Sequence, residues 1–347
     1  MVKKIITGLF VALLCLFIVF PNRMFADPSY RYNFPGNDTI REMSVTKDGT
    51  AYGVFLSGDR GKLVSFSKDG KVNWSIYGPH HEEMYMTTDG KGRVYTAIGA
   101  KVTAYDTLGK VRWTKKFSES VNIVATKEIF IAYMQSRVQA FTLEGKSVYD
   151  VKFSANELKI PSPDIGYGIW SVWLENTMDV YKKDRKLFSI KGPKNTILGE
   201  ITTSPDSKVI YVPLKTQQYG SPSYMLAYDL TGKQLWKTDV GTKAGRIDDV
   251  AVLSNGTIVV LHNIKQLLSG LDKDGNLLWT QRVKPIMGHI KASGNIIYVG
   301  GDLYDASGNL LQSIEGPTQN ILYGEDGSVI FCNISYFEKK MPSLITQ

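Results

Sequence analysis

The only cluster of metal-capable side chains in this sequence is His80-His81-Glu82-Glu83. A bound zinc or similar ion needs three or four converging ligands, and adjacent residues of an extended segment point to opposite sides. His80 and His81 are therefore poorly placed to share an ion, and His81 with Glu83 makes two ligands where more are needed, so the segment reads as a solvated loop. His262 and His289 stand alone in strand-like runs and read as satisfied buried or half-buried histidines. The stretch Asp272-Lys273-Asp274-Gly275-Asn276 begins like a calcium loop, but no Glu follows at the required distance and Trp279 falls inside the loop, so it reads as a hairpin turn. There is no Gly-x-Ser-x-Gly elbow, no His-Glu-x-x-His and no phosphate loop. A polymer hydrolase would need two carboxylates about 5–10 Å apart. Asp248, Asp249, Glu82 and Glu83 are the nearest candidates, and only the fold decides whether they meet.

The elements that must position these groups come from a repeat. Ala227-Tyr228-Asp229-Leu230-Thr231-Gly232-Lys233-Gln234-Leu235-Trp236 is a strand ending in Asp, a turn closed by Gly, and a second strand carrying a large aromatic. Related stretches occur at 104–113 and 270–279, and fainter ones at 67–74, 141–149, 181–188 and 304–312, about 40 residues apart. Gly232 falls where the turn needs a positive φ, and Asp229 is placed to accept backbone N–H groups across it. Short strands at this period, with no convincing helix in the soluble part, predict the blades of a propeller.

Cut into four strands each, seven repeats run over 41–77, 84–117, 121–153, 157–190, 197–240, 247–283 and 288–314. The remainder offers Asn320 to Tyr323, Ser328 to Asn333 and a late segment Ser343 to Thr346, and lacks a fourth strand. The N-terminal stretch Tyr30 to Gly36 resembles the blade-ending stretches 187–193 and 311–317. Pairing it with the last blade removes an open sheet edge. The expected fold is all-β: an eight-bladed propeller of four-stranded antiparallel blades, closed by the strand at about 29–34, with seven blades as the alternative because the fourth repeat is degenerate. Tyr167 to Trp173 is aromatic on both faces and reads as inter-blade core.

Lys3 and Lys4, an apolar run of about 16 residues from Ile5 to Phe20, and Met24-Phe25-Ala26 have the layout of a secretory signal, with cleavage expected after Ala26 and a single propeller domain over 27–347. An uncleaved anchor is the alternative, since Met24 is a poor residue three before the cut. Cys15 lies deep in the apolar run after Leu14 and does not read as a lipid-attachment site. Only Cys332 then remains, so no intramolecular disulfide forms and packing alone must stabilise the ring. The net charge of +8 falls to about +5 when Lys3, Lys4 and Arg23 leave with the signal, without the dense basic clusters that nucleic acid requires.

The motif Ala-x-Asp…Gly…Trp at 104–113, 227–236 and 270–279 resembles the tryptophan-docking repeat of quinoprotein-type, PQQ-like propellers, with one residue fewer in the turn. The resemblance implies that Trp74, Trp113, Trp236 and Trp279 dock between blades, more loosely Tyr149 and Phe188, and that Gly70, Gly109, Gly232 and Gly275 make the outer turns. Gln312 departs from the pattern, which implies a less firmly held seventh blade. The quinone-dependent dehydrogenases of this family carry a vicinal disulfide and a calcium site on a longer chain. Adjacent cysteines are absent here, so neither quinone nor any other cofactor is expected. A closer resemblance is to the non-enzymatic scaffold lipoprotein of the outer-membrane barrel-assembly machine.

The expected function is binding without catalysis, by a monomer that is secreted or held at the cell surface. The partner is a protein, with a cell-envelope polymer, bound or cleaved, as the alternative; contact with a membrane is expected only through an uncleaved N-terminal segment. The longest connections, 57–61, 80–83, 191–195, 215–223, 241–246 and 263–265, fall on one face and offer Arg60, His80, His81 and Tyr219 as the candidate binding surface.

Overall fold

The computed structural model describes residues 29–347 apart from 35–37, 90, 126–128, 153–159, 163–168, 175, 184, 217–221, 241–245, 285–288, 315–319, 333–335 and 343–347. Eight antiparallel sheets follow one another along the chain. Blade 1 has an inner strand Thr39–Val45, then Ala51–Ser57 and Arg60–Phe66, and an outer strand Val72–His80. Blades 2 to 7 repeat this order from Met84, Asn122, Ile160, Thr196, Asp249 and Lys291. Blade 5 splits its inner strand into Thr196–Leu198 and Thr202–Thr203, both paired with Val209–Thr216.

Blade 8 joins the two ends of the chain. Its strands are Asn320–Tyr323, Val329–Cys332, Tyr336–Lys340 and, outermost, Tyr30–Asn33, with Tyr30 opposite Lys339 and Asn33 opposite Tyr336. The third strand is thus 336–340, and the expected strand at 343–346 lies outside the described residues. The reason is packing across the seam: alternate residues of Tyr336–Lys340, Phe337 and Lys339, are fully buried against blade 1.

Burial follows strand position. Second strands are covered on both faces, so Ala51 to Phe55 and Ile258 to His262 are buried at every residue. Outer strands such as Gln234–Asp239 and Leu277–Arg282 alternate between exposed and half-buried. Trp170 lies in the core between blades 3 and 4, stacked between Tyr149 and Tyr181 at ring distances of 5.8 and 4.3 Å. Cys332 is buried, and burial pushes its thiol up to about 12, which leaves it protonated and inert.

The inner strands would leave a row of unpaired N–H groups towards the central channel. Side chains of the preceding blade meet several of them: Glu42 Oε2 accepts from Met86 N at 2.6 Å, Thr87 Oγ1 from Ala125 N at 3.1 Å and Asp249 Oδ2 from Ile290 N at 2.9 Å. Burial raises the Glu42 carboxyl above its ordinary range, against the opposing pull of the Met86 N–H. The folded state then holds this proton more tightly than the unfolded chain, so stability falls as pH rises through that window, and the deficit persists above it. Glu42→Gln keeps an oxygen for Met86 N and carries no charge. It should match or exceed the parent's stability at neutral pH in urea unfolding, with the difference shrinking as pH falls.

At the closure seam Lys339 is fully buried and its Nζ lies 2.7 Å from Asp326 Oδ2, itself only 3% exposed, and 3.4 Å from Gly49 O of blade 1. Removing one member of a buried pair strands the other charge. Lys339→Met should cost about 3–5 kcal/mol in urea unfolding. Adding Asp326→Asn, which keeps an oxygen for the Ser328 N–H, should recover most of that loss.

Candidate binding face

The turns between third and fourth strands share one construction. Asp106 Oδ1 accepts from Leu108 N and Lys110 N, Asp229 Oδ1 from Thr231 N and Lys233 N, and Asp272 Oδ1 from Asp274 N and Asn276 N, all within 3.1 Å. Asp272 therefore serves its own turn as a backbone acceptor. Each of these turns closes on a Gly with φ near +80°, and a one-residue register shift follows.

These glycines meet an aromatic of the preceding blade. A Cβ on Gly109 would lie 2.8 Å from the Trp74 ring, and Trp74 Nε1 donates to Thr107 O at 2.9 Å. Trp236 faces Gly275 and donates to Lys273 O, Trp279 faces Gly308 and donates to Ala306 O, and Trp113 faces Gly145 and donates to Leu143 O. Phe188 faces Gly232 without a polar bond. Gly70 of blade 1 faces Tyr30, from the N-terminal strand. Sequence reasoning placed Tyr30 in the closing strand but gave it no docking role, because the turn it covers, at Gly70, belongs to the next blade round the ring. Its signal was an aromatic at the same point of a blade-ending strand.

All of these turns lie at one end of the ring. The connections between second and third strands and those between blades lie at the other, hereafter the loop face. Here the outer strand of blade 1 runs through His80, which pairs in register with Arg60, so His80 ends a strand where the sequence reads as loop. His80 Nδ1 lies 2.8 Å from both carboxylate oxygens of Asp59, and His81 Nε2 3.5 Å from one of them. The bond from His80 holds the Asp59 carboxyl below the usual range. His81 adopts φ +60°, uncommon for a residue with a Cβ. Arg60 lies over the Tyr77 ring at 5.0 Å. Tyr219 lies outside the described residues.

Glu83 Oε1 accepts from Arg41 at 2.7 Å, and Glu83 Oε2 from the Tyr85 hydroxyl at 2.6 Å. The Tyr85 bond first, and Arg41 second, hold the Glu83 carboxyl below the usual glutamate range. Glu82 beside it makes no hydrogen bond or ion pair among the described residues, and its carboxylate lies over Gly99. Two clefts share this pair of glutamates. One of about 180 Å³ has Phe55, Leu56 and Met84 as its apolar part and Arg41 and Asp59 on its rim; the other, of about 440 Å³, runs past Tyr85 to Ser120 and Asn122. Among the described residues no group of three or more metal-capable side chains forms, at 80–83 or elsewhere.

The four candidate carboxylates do not converge. Glu82 and Glu83 lie between blades 1 and 2, Asp248 and Asp249 between blades 5 and 6, four steps round a ring of eight. Asp248 accepts from Asn263 N at 2.7 Å and pairs with Arg246 at 3.5 Å. Asp249 accepts from Ile290 N and from His289 Nδ1, at 2.9 and 3.2 Å. His289 is thus an exposed partner of Asp249, with 91% of its side chain open, rather than a buried strand residue, because it precedes the inner strand of blade 7. His262 is fully buried, with Nε2 3.4 Å from Ser269 Oγ.

Residues 154–316 match a family model described as outer membrane protein assembly factor BamB, a PQQ-type repeat. This stretch, a little under half of the chain, resembles the repeats of PQQ-type propellers. The propeller's fold is shared with the C-terminal WD40 domain of Sif2, at a TM-score of 0.64 and 10% identity over 90% of this propeller and 98% of that chain. It is shared also with a streptogramin B lyase, at 0.52 and 13% over 73% and 91%, and with virginiamycin B lyase from Staphylococcus aureus, at 0.52 and 11% over 82% and 97%. At such identities these likenesses show the fold alone. No curated protein sequence matches the propeller.

Tyr85→Phe removes the hydrogen bond that favours the charged form of Glu83. The Glu83 carboxyl should then titrate at higher pH in a carboxyl NMR titration, while the Asp59 carboxyl keeps its titration.

Proposed function

We propose that this propeller acts as a binding scaffold for a protein partner, outside the cytoplasm and without catalysis, and that the partner engages the loop face across blades 1 to 3. One observation carries the reading: two adjoining clefts share Glu82 and Glu83, the second already held by Arg41 and Tyr85, on the face where the connections between blades lie. Side chains fixed before binding lose little freedom when a partner arrives. The match to an outer-membrane assembly factor and the WD40 neighbour support association as the activity, and the family description supports an extracytoplasmic address.

A hydrolase acting on an envelope polymer receives no support from the acids that would serve it. They stand on opposite sides of the ring, and three of the four are committed to backbone N–H groups, ion pairs or a tyrosine hydroxyl.

The test is affinity capture from envelope extract with wild type and with a Glu82→Lys, Tyr85→Ala variant of unchanged melting temperature. Both side chains are exposed, so the fold should survive. A protein retained by wild type and lost by the variant is the expected result. Equal retention by both, or binding only to purified wall polymer, would overturn the reading.

A further inference from the structure

Each blade ends in an outer strand whose free edge offers unpaired N–H and C=O groups to a further strand, and natural edges blunt that offer by being short or by carrying charge. Blades 2 to 6 place Arg112, Asp150, Arg185, Lys237 and Arg282 in outer strands of six or seven residues, and the outer strands of blades 7 and 8 have only four. Blade 1 does neither. Its outer strand Val72–His80 is nine residues long and holds no Lys, Arg, Asp or Glu. Pro79 has no N–H to give, so the edge open to pairing is 72–78.

This edge is complementary to itself. Two antiparallel strands related by a two-fold axis keep their faces matched only when one residue lies opposite its own copy. With the axis at Ser75, the middle of 72–78, Trp74 falls opposite Ile76 and Asn73 opposite Tyr77. Trp74 and Ile76 are half-buried and turned to blade 2, while Ser75 and Tyr77 are exposed on the other face. An aromatic facing a β-branched side chain is a favourable cross-strand pair, and the symmetry makes it twice. No like charges meet along the strand. The antiparallel sense also carries exposed Lys71, at the turn end of one copy, towards the loop end of the other, where Asp59 lies against His80. Because both copies use the same patch, the contact closes on itself and does not propagate. It is far smaller than the roughly 20–30 residues a side of a stable complex, so the pair forms and separates with concentration.

We propose that two copies of this chain pair antiparallel through residues 72–78, with the two-fold axis at Ser75, joining two four-stranded blades into one eight-stranded sheet. The pair takes the place of the monomer expected from the sequence. It goes beyond the binding role of the loop face and does not depend on it.

The test compares the full chain with its Ser75→Lys variant by sedimentation velocity over a range of concentrations, in a mild detergent that keeps residues 5–20 from associating. Ser75 is exposed, so the variant should keep the parent's melting temperature while setting two lysines against each other at the axis. Wild type should pass from monomer to dimer as concentration rises, and the variant should need several-fold more protein to do so. In a Cys15→Ser background, with Cys332 buried, Ser75→Cys should give a disulfide-linked dimer under mild oxidation, because opposed side chains there lie within reach of a disulfide. Lys237→Cys, exposed on the outer strand of blade 5, should not. This arm stands even where Ser75→Lys fails to fold. A wild type that stays monomeric, equal association by wild type and Ser75→Lys, equal cross-linking from positions 75 and 237, or a cross-link from position 75 to a different protein would each overturn the proposal. Loss of partner capture by the loop-face variant bears on the scaffold role alone.

Discussion

The ring depends on close approach between an aromatic of one blade and the turn of the next. The glycine that closes the turn presents no side chain, so an indole or phenyl ring can lie against the backbone, and where the ring is tryptophan its N–H meets a carbonyl of the same turn. Each contact is modest, but it fixes the angle between neighbouring sheets, and eight such angles must add up to a closed circle. The same glycine also needs its positive φ, so one residue serves two requirements that no other side chain meets together. Wedge-shaped blades held at their outer ends in this way keep the loops of the opposite face at fixed separations, which is what a binding surface needs.

Much of this was legible in the sequence because the repeat is local. The Asp, the Gly and the aromatic that follows lie within about ten residues, and turn chemistry at that range depends little on the rest of the chain. Blade number followed from the period, and the use of the N-terminal strand from the likeness of Tyr30 to Gly36 with other blade endings. What was not legible depends on partners far along the chain. Tyr336–Lys340 carries Lys339, a poor strand-core residue in isolation, and becomes the third strand of its blade because Asp326 and Gly49 O supply the charge and the acceptor. His289 reads as part of a strand, but it precedes the inner strand of blade 7 and pairs at the surface with Asp249, forty residues earlier.

The candidate binding face was legible in part. The sequence singled out Arg60, His80 and His81, and these gather at Asp59 and Tyr77 on one side of the blade 1–2 connection. It gave no sign of Arg41 or Tyr85, whose importance comes from their reach to Glu83. A salt bridge between residues 41 and 83 leaves no pattern in a single sequence, whereas a turn leaves one in every blade.

Closure by the two termini also orders events in time. Arg31 and Glu338, which meet across the seam, are 307 residues apart, and Tyr30 waits for a strand made long after it. A chain delivered from its N-terminus can assemble blades 1 to 7 as they emerge, but its first strand has no sheet to join until the final one arrives. Until then blade 1 lacks the neighbour that covers Phe55 and Phe66, and the open ring shows apolar surface on both flanks. Tyr336–Lys340 thus acts as the latch of the ring, and the interval before it arrives is when the open sheets are most exposed to proteases and aggregation.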